Sequence, residues 1–408
     1  MDFTDTKEEA EYRARVRDWL DRNAKKKGEA GAAAPKYGHD DLVPLAREWQ
    51  AKKYEAGFAG ITMPVEYGGQ GGTQMQQVIY NQEEARYVVP RGVYEIGLGM
   101  CIPTMLAYAT EEQKQRYVRP ALRGEEIWCQ LFSEPAAGSD VAAVRTRAVR
   151  DGDDWIINGQ KIWTSGAHFS DFGVIVLRTD PSVPKHKGLS YFFLDMHSPG
   201  IEVRRIKQIA GISNFNEVFF TDVRVPDSQR LGEVGGGWKV ALTTLMNERY
   251  AVGHRPPPDF DEIFELARNL ELEDGPAIRN ALVRERLADW YCQQQGLRLT
   301  HFRTMTALSK GQTPGPENSI TKIISANKQQ EIAAFGMDLL EQAGVIHDDE
   351  RSPMRAMFQE ALLMSPSGRV AGGTDEILRN IIAERVLGLP QDPRVDKDVP
   401  YDKVPTGR

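Results

Sequence analysis

"VRTRAVRDGDDWIINGQKIWTSG", residues 144–166, is where the chain changes its period. Apolar and polar residues alternate here over short runs, as in half-buried strands, while the sequence on either side repeats with the helical period. Asp151-Gly152 and Asn158-Gly159 interrupt the alternation. Both dipeptides predict tight hairpin turns, because these residues tolerate positive φ. The strand pattern continues through "FGVIVLRTD" (172–180), "GLSYFFLDM" (188–196), "IEVRRIKQI" (201–209) and "NEVFFTDVRVP" (216–226). A single β-domain, barrel or sandwich, is the economical reading.

Outward from it the chain is helical in both directions. Residues 4–23, 39–57 and 73–87 carry helical periodicity, and Thr110 opens a further helix with Gln113 placed to complete a capping box. The first 120 residues therefore read as all-helical. "YGGQGG" (67–72) reads as a turn between helices, since no apolar strand precedes it with dinucleotide-fingerprint spacing. Towards the C-terminus, helices are expected at 238–253, 259–272, 277–309, 318–343, 353–364 and about 374–387, with "GQTPGPEN" (311–318) a tight link. The plan is α+β and multi-domain: helical 1–124, a β-domain over 125–232, a helical bundle over 233–390 and a tail over 391–408.

The totals exclude several function classes. A chain of 408 residues is too long for one small core, and its net charge of −7 is spread along both halves, so no nucleic-acid footprint emerges. Cys101, Cys129 and Cys292 build neither a disulfide framework nor a C-x-x-C metal pair, and the seven histidines never pair at metal-ligand spacing. No G-x-S-x-G elbow occurs. The charged, helical N-terminus predicts neither signal peptide nor anchor, and no apolar run approaches membrane length. A soluble cytoplasmic protein is expected.

Four stretches could carry chemistry. In "LTTLMNERYAVG" (242–253), Glu248 interrupts the apolar stripe of Trp238, Ala241, Leu245 and Val252. No basic residue stands one turn away to pair with it. A carboxylate so placed loses solvation and moves towards a general base's working range; the bland alternative is a boundary residue reaching water or another helix. Arg249 is either a structural ion-pair donor or a holder of an anionic ligand. "LFSEPAAGSD" (131–140) is an ordinary turn-rich loop or a place where backbone N–H groups approach a ligand. "KIWTSGA" (161–167) sets Trp163 beside two hydroxyls, where core packing competes with a ring platform. "AGGTDEILRN" (371–380) starts a helix at Thr374, whose N-terminal amides could serve a carbonyl oxygen.

Taken in order, "FSEPAAGSD", "NGQKIWTSGA", "NEVFFTDVRVP", "GGGWKVALTTLMNER" and "AGGTDEILRNIIAERVLG" resemble the acyl-CoA dehydrogenase family over roughly residues 5–390. The resemblance implies a helical N-terminal domain, a middle β-domain and a C-terminal helical bundle. It also implies FAD, an acyl-CoA thioester substrate, an electron-transfer flavoprotein as acceptor and a homotetramer or homodimer. By resemblance, Gln130, Leu131, Phe132 and Ser133 line the flavin, and Ser139 stands near flavin and pantetheine. Trp163 packs on the ring with Thr164 and Ser165 at its edge, while Gly373, Thr374 and Glu376 hold the flavin from the C-terminal side. The main-chain N–H of Gly372 and a flavin hydroxyl hold the thioester carbonyl, with Arg249 a candidate substrate contact.

Many members carry the catalytic glutamate just before the Gly-Thr of the last motif, where this chain has Gly372. Isovaleryl- and long-chain-type members place it instead on the first bundle helix, directly before an arginine, and Glu248-Arg249 stands there. The resemblance thus makes Glu248 the base. The family's Arg-x-x-Phe-Gly segment is replaced by "ARNLELEDGPAIRN" (267–280) and its glutamine- and glycine-rich flavin contact by "MDLLEQ" (337–342). Similar losses occur in members working as heterotetramers with a related chain. A non-catalytic or flavin-sharing subunit and an acyl-CoA oxidase are the alternatives. Bulky or branched acyl groups, including sterol side chains and ring acids, are compatible with the small residues at 372–373.

Overall fold

The structure, a computed structural model, describes residues 5–29, 41–251, 258–309, 315–348, 350–394 and 396–405. Asp5–Ala251 together with Pro393–Arg408 form one compact unit, and Val252–Asp392 form a second.

The first unit opens with helices α1 (Lys7–Asn23), α2 (Leu42–Glu55), α3 (Gln74–Glu84), α4 (Ile102–Tyr108) and α5 (Glu111–Arg123). Thr110 accepts from the Gln113 amide and Gln113 returns a bond to the Thr110 amide, so the expected capping box forms. The all-helical reading needs one correction. Strands β1 (Lys25–Lys26) and β2 (Tyr87–Val88) pair antiparallel and tie the end of α1 to the end of α3. A short π-helical turn, Gly97–Cys101, leads into α4.

A seven-stranded mixed sheet follows: β3 (Trp128–Leu131), β4 (Arg147–Asp151), β5 (Asp154–Ser165), β6 (Phe172–Arg178), β7 (Leu189–Asp195), β8 (Ile201–Ile206) and β9 (Phe215–Pro226). β3 runs parallel to β6, β7 pairs antiparallel with β6, and β9 pairs antiparallel with β5 and β8. Strands β6 and β7 are covered on both faces, which is why they read as unbroken apolar runs. Val174, Val176, Tyr191 and Phe193 pack towards the helices with Ile102, Met105 and Leu122. The alternate residues Ile175, Leu177, Phe192 and Leu194 pack with Trp155, Ile157 and Val218 on the other face.

Asp151-Gly152 turns the β4–β5 hairpin as expected, with Gly152 at φ +64°. Asn158-Gly159 does not make a hairpin. It is a bulge inside β5, where the register against β9 slips between Ile157 and Gly159. Asn158 exchanges two hydrogen bonds with Asp222 across the slip, which satisfies the backbone that the ladder drops. The unit's last helix is α6 (Gly237–Ala251), whose expected end at 252–253 lies outside the described residues.

The second unit contains α7 (Phe260–Asn269), α8 (Ala281–Ser309), α9 (Ser319–Leu340), α10 (Met357–Val370) and α11 (Asp375–Arg385) around Ile263, Leu287, Trp290, Ile332, Leu339 and Phe358. Gly336 lets α9 meet the ring of Phe358, which a Cβ there would strike at 2.2 Å. The helix expected over 259–272 stops at Asn269, and a small hairpin, β10 (Glu271–Leu272) with β11 (Gly275–Pro276), takes its last turn. Residues 311–314 of the link lie outside the described residues, and Pro316–Asn318 form a short 3-10 turn that leads into α9. Among the described residues no helix is long and apolar enough to cross a membrane.

Two adjacent glutamates hold the N-terminal helices together. Glu83 is fully buried and accepts from Arg13, Arg17 and Arg86, while Glu84 accepts from Tyr80, Trp49 and Arg91. Burial pushes both carboxyls up, but the surrounding cations and donors outweigh it and leave both below the ordinary value of 4.5. Carboxylates held low stabilise the fold above that value and lose the contribution as pH falls through the folded pKa. Glu83→Gln is therefore expected to cost about 3 kcal/mol at neutral pH, as for breaking a buried pair. Urea unfolding should show that penalty shrinking below pH 4.5, as wild type loses the same charge.

Candidate active site

The rim of the β-domain is built around Lys161. Its side chain is fully buried, and its ammonium donates to the carbonyls of Phe132 (3.0 Å) and Val176 (2.8 Å) and to the Glu134 carboxylate (2.8 Å). Glu134 also accepts from the amides of Arg145 (2.6 Å) and Thr146 (2.9 Å). Burial raises the Glu134 carboxyl, yet the Lys161 ammonium and these donors bring it below its usual range; burial in turn lowers the Lys161 ammonium, against the opposing pull of Glu134. This cluster closes the segment between Phe132 and Thr146 into a loop with fixed ends.

Strand alternation would bury Trp163 beside Lys161. Instead β5 slips register again between Lys161 and Thr164. Trp163 takes φ +59°, is 55% exposed and meets Phe215 edge-on at 6.0 Å, while Thr164 moves into the buried position. A left-handed backbone at a tryptophan costs about 1–3 kcal/mol and persists only where the surroundings force it. Core packing, the bland reading of this tryptophan, is thereby excluded. The Thr164 hydroxyl, although buried, has no hydrogen-bond partner among the described residues, while its carbonyl accepts from Asn216 at 2.8 Å.

Ser133 lies on the same rim, its carbonyl accepting from the Ile162 amide at 2.9 Å. Gln130 and Ser133 are half-buried, Phe132 is buried against Tyr191, and Ser165 is half-buried opposite Phe215. Leu131 is different. Its side chain is wholly inside the sheet's core, which leaves only its main chain to reach a ligand. Ser139 is exposed on the loop, and a Cβ at the neighbouring Gly138 would meet nothing within 4 Å.

In the second unit, Gly372 (φ +66°) and Gly373 (φ +89°) precede Thr374, which caps α11 by accepting from the Ile377 amide at 3.2 Å. The exposed Glu376 carboxyl lies below its usual range, held there by its own amide and by Thr374. Sequence reasoning missed what fixes this turn. Lys322 on α9 donates to the Gly373 carbonyl at 2.6 Å, and the buried Asp375 accepts from Arg369 at 2.8 Å. An acid directly after a helix N-cap signals a dipole partner in sequence, but its burial against a lysine fifty residues earlier leaves no local trace.

Glu248 and Arg249 lie on α6, and their side chains are outside the described residues. The helix itself is informative. Its buried positions are Gly237, Val240, Ala241 and Thr244, and position 248 continues that face one turn beyond Thr244. Thr244 is tied there by hydroxyl contacts to Thr104 (2.9 Å) and Tyr191 (2.8 Å), which lock α6 to α4 and β7.

On the β-domain, an exposed aromatic forced outward and a buried hydroxyl beside it fit a flat, polar-edged cofactor; in the second unit, the capped helix start behind two glycines offers backbone amides of its own. Comparison with known proteins agrees. Family models for the acyl-CoA dehydrogenase N-terminal, middle and C-terminal domains match residues 6–125, 129–223 and 235–387. The chain belongs to the acyl-CoA dehydrogenase family. It is 36% identical to the acyl-CoA dehydrogenase IpdE1 of Mycobacterium tuberculosis, with 94% of this chain and 98% of that one covered. It is 39% identical to the acyl-CoA dehydrogenase FadE34 of the same organism over 83% of this chain, spanning 45% of that relative's length. Among solved structures, the Tcur3481-Tcur3483 steroid ACAD matches with TM-score 0.80 and 29% identity, covering 96% of this chain and 100% of that one. The ChsE4-ChsE5 complex from M. tuberculosis matches with TM-score 0.77 and 27% identity, covering 96% and 100%.

The Thr164 hydroxyl provides a direct test. Thr164→Val keeps the shape and removes a buried group that lacks a partner, so the flavin-free chain should gain about 1 kcal/mol in thermal or urea unfolding. The same change should weaken FAD uptake about tenfold in fluorescence titration, as for loss of one hydrogen bond. A loss of stability instead would mean the hydroxyl serves the fold.

Proposed function

We propose that this chain dehydrogenates an acyl-CoA thioester between its α and β carbons to give the 2-enoyl-CoA, using FAD and passing electrons to an electron-transfer flavoprotein. The observation that carries the reading is Trp163, held outward on a strained bulge beside the orphaned Thr164 hydroxyl, in a chain of this family. Bound FAD supplies the acceptor for the hydride equivalent that leaves the β carbon. Gln130, Ser133, Thr164 and Ser165, with the main chain of Leu131 and Phe132, would hold it from the β-domain, and Gly373, Thr374 and Glu376 from the start of α11.

Glu248 takes the α proton. Its helical position, one turn beyond the buried Thr244, supports the reading, since a carboxylate that loses solvation gains basicity towards the working pH. The proton is a poor acid unless the thioester carbonyl is polarised, and the Gly372 amide is the chain's own donor for that oxygen. Apolar packing under α6 supports the exclusion of water around a base on that helix. Arg249 contacts the substrate, and Ser139 serves flavin and pantetheine. The steroid ACAD among its structural relatives supports a bulky, steroid-like acyl group.

One observation favours a second reading, in which a related chain completes the flavin site. Where the family carries its Arg-x-x-Phe-Gly segment, this chain has the β10–β11 hairpin with Glu271, Glu273 and Asp274, and the nearby Arg268 is exposed. An acidic hairpin repels a cofactor's phosphates, so those contacts would come from a partner, as the ChsE4-ChsE5 complex supports. Glu248→Gln separates the readings. Turnover with a steroid-type acyl-CoA should fall by about 10²–10⁴ if Glu248 is the base, with the flavin absorbance retained. Unchanged turnover in the presence of the partner chain would make this chain the non-catalytic subunit.

A further inference from the structure

The C-terminal segment returns to the β-domain and grips the loop that carries Ser139. Tyr401 donates its backbone N–H to the Val183 carbonyl (2.9 Å), Asp402 does the same to Pro181 (3.0 Å), and Pro400 bridges to Pro184. The Tyr401 hydroxyl donates to the Ala143 carbonyl at 2.7 Å, and its ring lies 3.9 Å from the Arg178 guanidinium. Arg178 is buried and donates to the carbonyls of Ala142 (2.5 Å) and Lys185 (2.6 Å). Lys185 in turn joins Asp140, the neighbour of Ser139, to Asp396, each at 2.7 Å. Its ammonium-bearing side chain is only 12% exposed, so this is a sheltered clasp rather than a surface pair.

These contacts add to a stretch whose Ala137, Ala142 and Val144 side chains pack into the core while Gly138, Ser139 and Asp140 stay exposed. The loop's N-terminal end is pinned at Glu134 and its C-terminal end at Arg145 and Thr146, both through the Lys161 cluster. Between them, the short turn at Val141–Ala143 closes on itself through the Ala143 and Val144 amides, and its carbonyls at 142 and 143 are taken by Arg178 and Tyr401. The family models end at residue 387, so this strap lies beyond the part of the chain they describe.

We infer that residues 396–405 are a working strap of the thioester site: Tyr401 and Asp396 are positioning residues that hold the 138–144 loop, and with it Ser139, in its substrate-binding form. The inference rests on the dehydrogenase reading only for what the loop binds. A chain without the clasp keeps its folded β-domain and its chemistry but presents Ser139 loosely, so affinity for the CoA thioester drops while the chemical step does not.

Full-length wild type, Tyr401→Phe and the double variant Tyr401→Ala/Asp396→Asn are compared by hydrogen-exchange mass spectrometry and by steady-state kinetics with an acyl-CoA that wild type turns over. In the double variant the Ala143 and Val144 amides should exchange about tenfold faster, the loss expected for two or three weak contacts, while the Arg145 and Thr146 amides stay protected by Glu134. KM should rise about tenfold with kcat within about twofold, and Tyr401→Phe, which keeps the ring over Arg178, should fall between. Unchanged exchange at 143–144 overturns the strap. So does a rise shared equally by 145–146, which is general loosening, or faster exchange with KM unmoved. If wild type turns over no acyl-CoA yet the exchange difference is found, the dehydrogenase reading fails and the strap on the loop stands.

Discussion

Everything on the β-domain's rim depends on one buried ammonium. Lys161 sits where no solvent reaches, and an unpaired charge there would cost several kcal/mol. Its three acceptors come from three different segments: Phe132 just after β3, Glu134 in the loop and Val176 on β6. Glu134 adds a fourth by accepting from the amides that lead into β4. A charge satisfied this way sets distances as well as contributing energy, because moving any one partner leaves either the ammonium or the carboxylate short of a bond. The residues proposed to meet the cofactor are spaced directly from it: 130–133 before Glu134, Ser139 within the closed loop, and Trp163 two residues beyond Lys161.

That fixed point explains how the strain at Trp163 is held. With Lys161 locked inward and Asn216 bonded to the Thr164 carbonyl, the chain between has one residue too many for a regular ladder. The extra length is taken up at Trp163, which turns outward with a left-handed backbone. Relaxing it would require breaking either the lysine's bonds or the Asn216 bond. The strain and the Thr164 hydroxyl, which has no hydrogen-bond partner among the described residues, are two local losses at adjacent residues, offset only by the edge-on contact of Trp163 with Phe215. Local losses paired in this way support the reading of this edge as the one that meets a ligand.

The periods of the sequence made the layer plan legible, since β6 and β7 had to be strands covered on both faces and α5 carried its capping box in plain view. Where the reading failed, a distant contact had replaced the local rule. Asn158-Gly159 has the composition of a hairpin, but β9 already lies alongside, and Asp222 turns the same dipeptide into a bulge. Core packing and a ring platform stayed open for Trp163 in the sequence, because nothing local reveals that Lys161 is anchored. The helix expected to reach residue 272 was ended by a hairpin whose partner strand carries Gly275-Pro276. Glu248 was legible as an anomaly on an apolar stripe, and the buried face of α6 leads to it. The bonds of Lys322 to the Gly373 carbonyl and of Tyr401 to the Ala143 carbonyl join segments far apart in sequence, and no spacing rule reaches that far.

The loop from Glu134 to Thr146 shows how the two kinds of constraint divide the work. Its ends are fixed by a buried ion pair whose strength hardly depends on salt, because water is excluded around it. Its middle is fixed by Lys185, which shares its charge between Asp140, half exposed, and Asp396 on the returning tail. Lys185 itself is sheltered, but its Asp140 partner meets solvent, so this link is screened more than the pair at Lys161 and yields more readily. The rim near Lys161 therefore keeps one geometry, while the stretch carrying Ser139 can answer to whatever acts on the tail. A site that must exclude water around the reacting carbons yet admit and release a long thioester needs both properties. Here they are assigned to different charges rather than to one compromise.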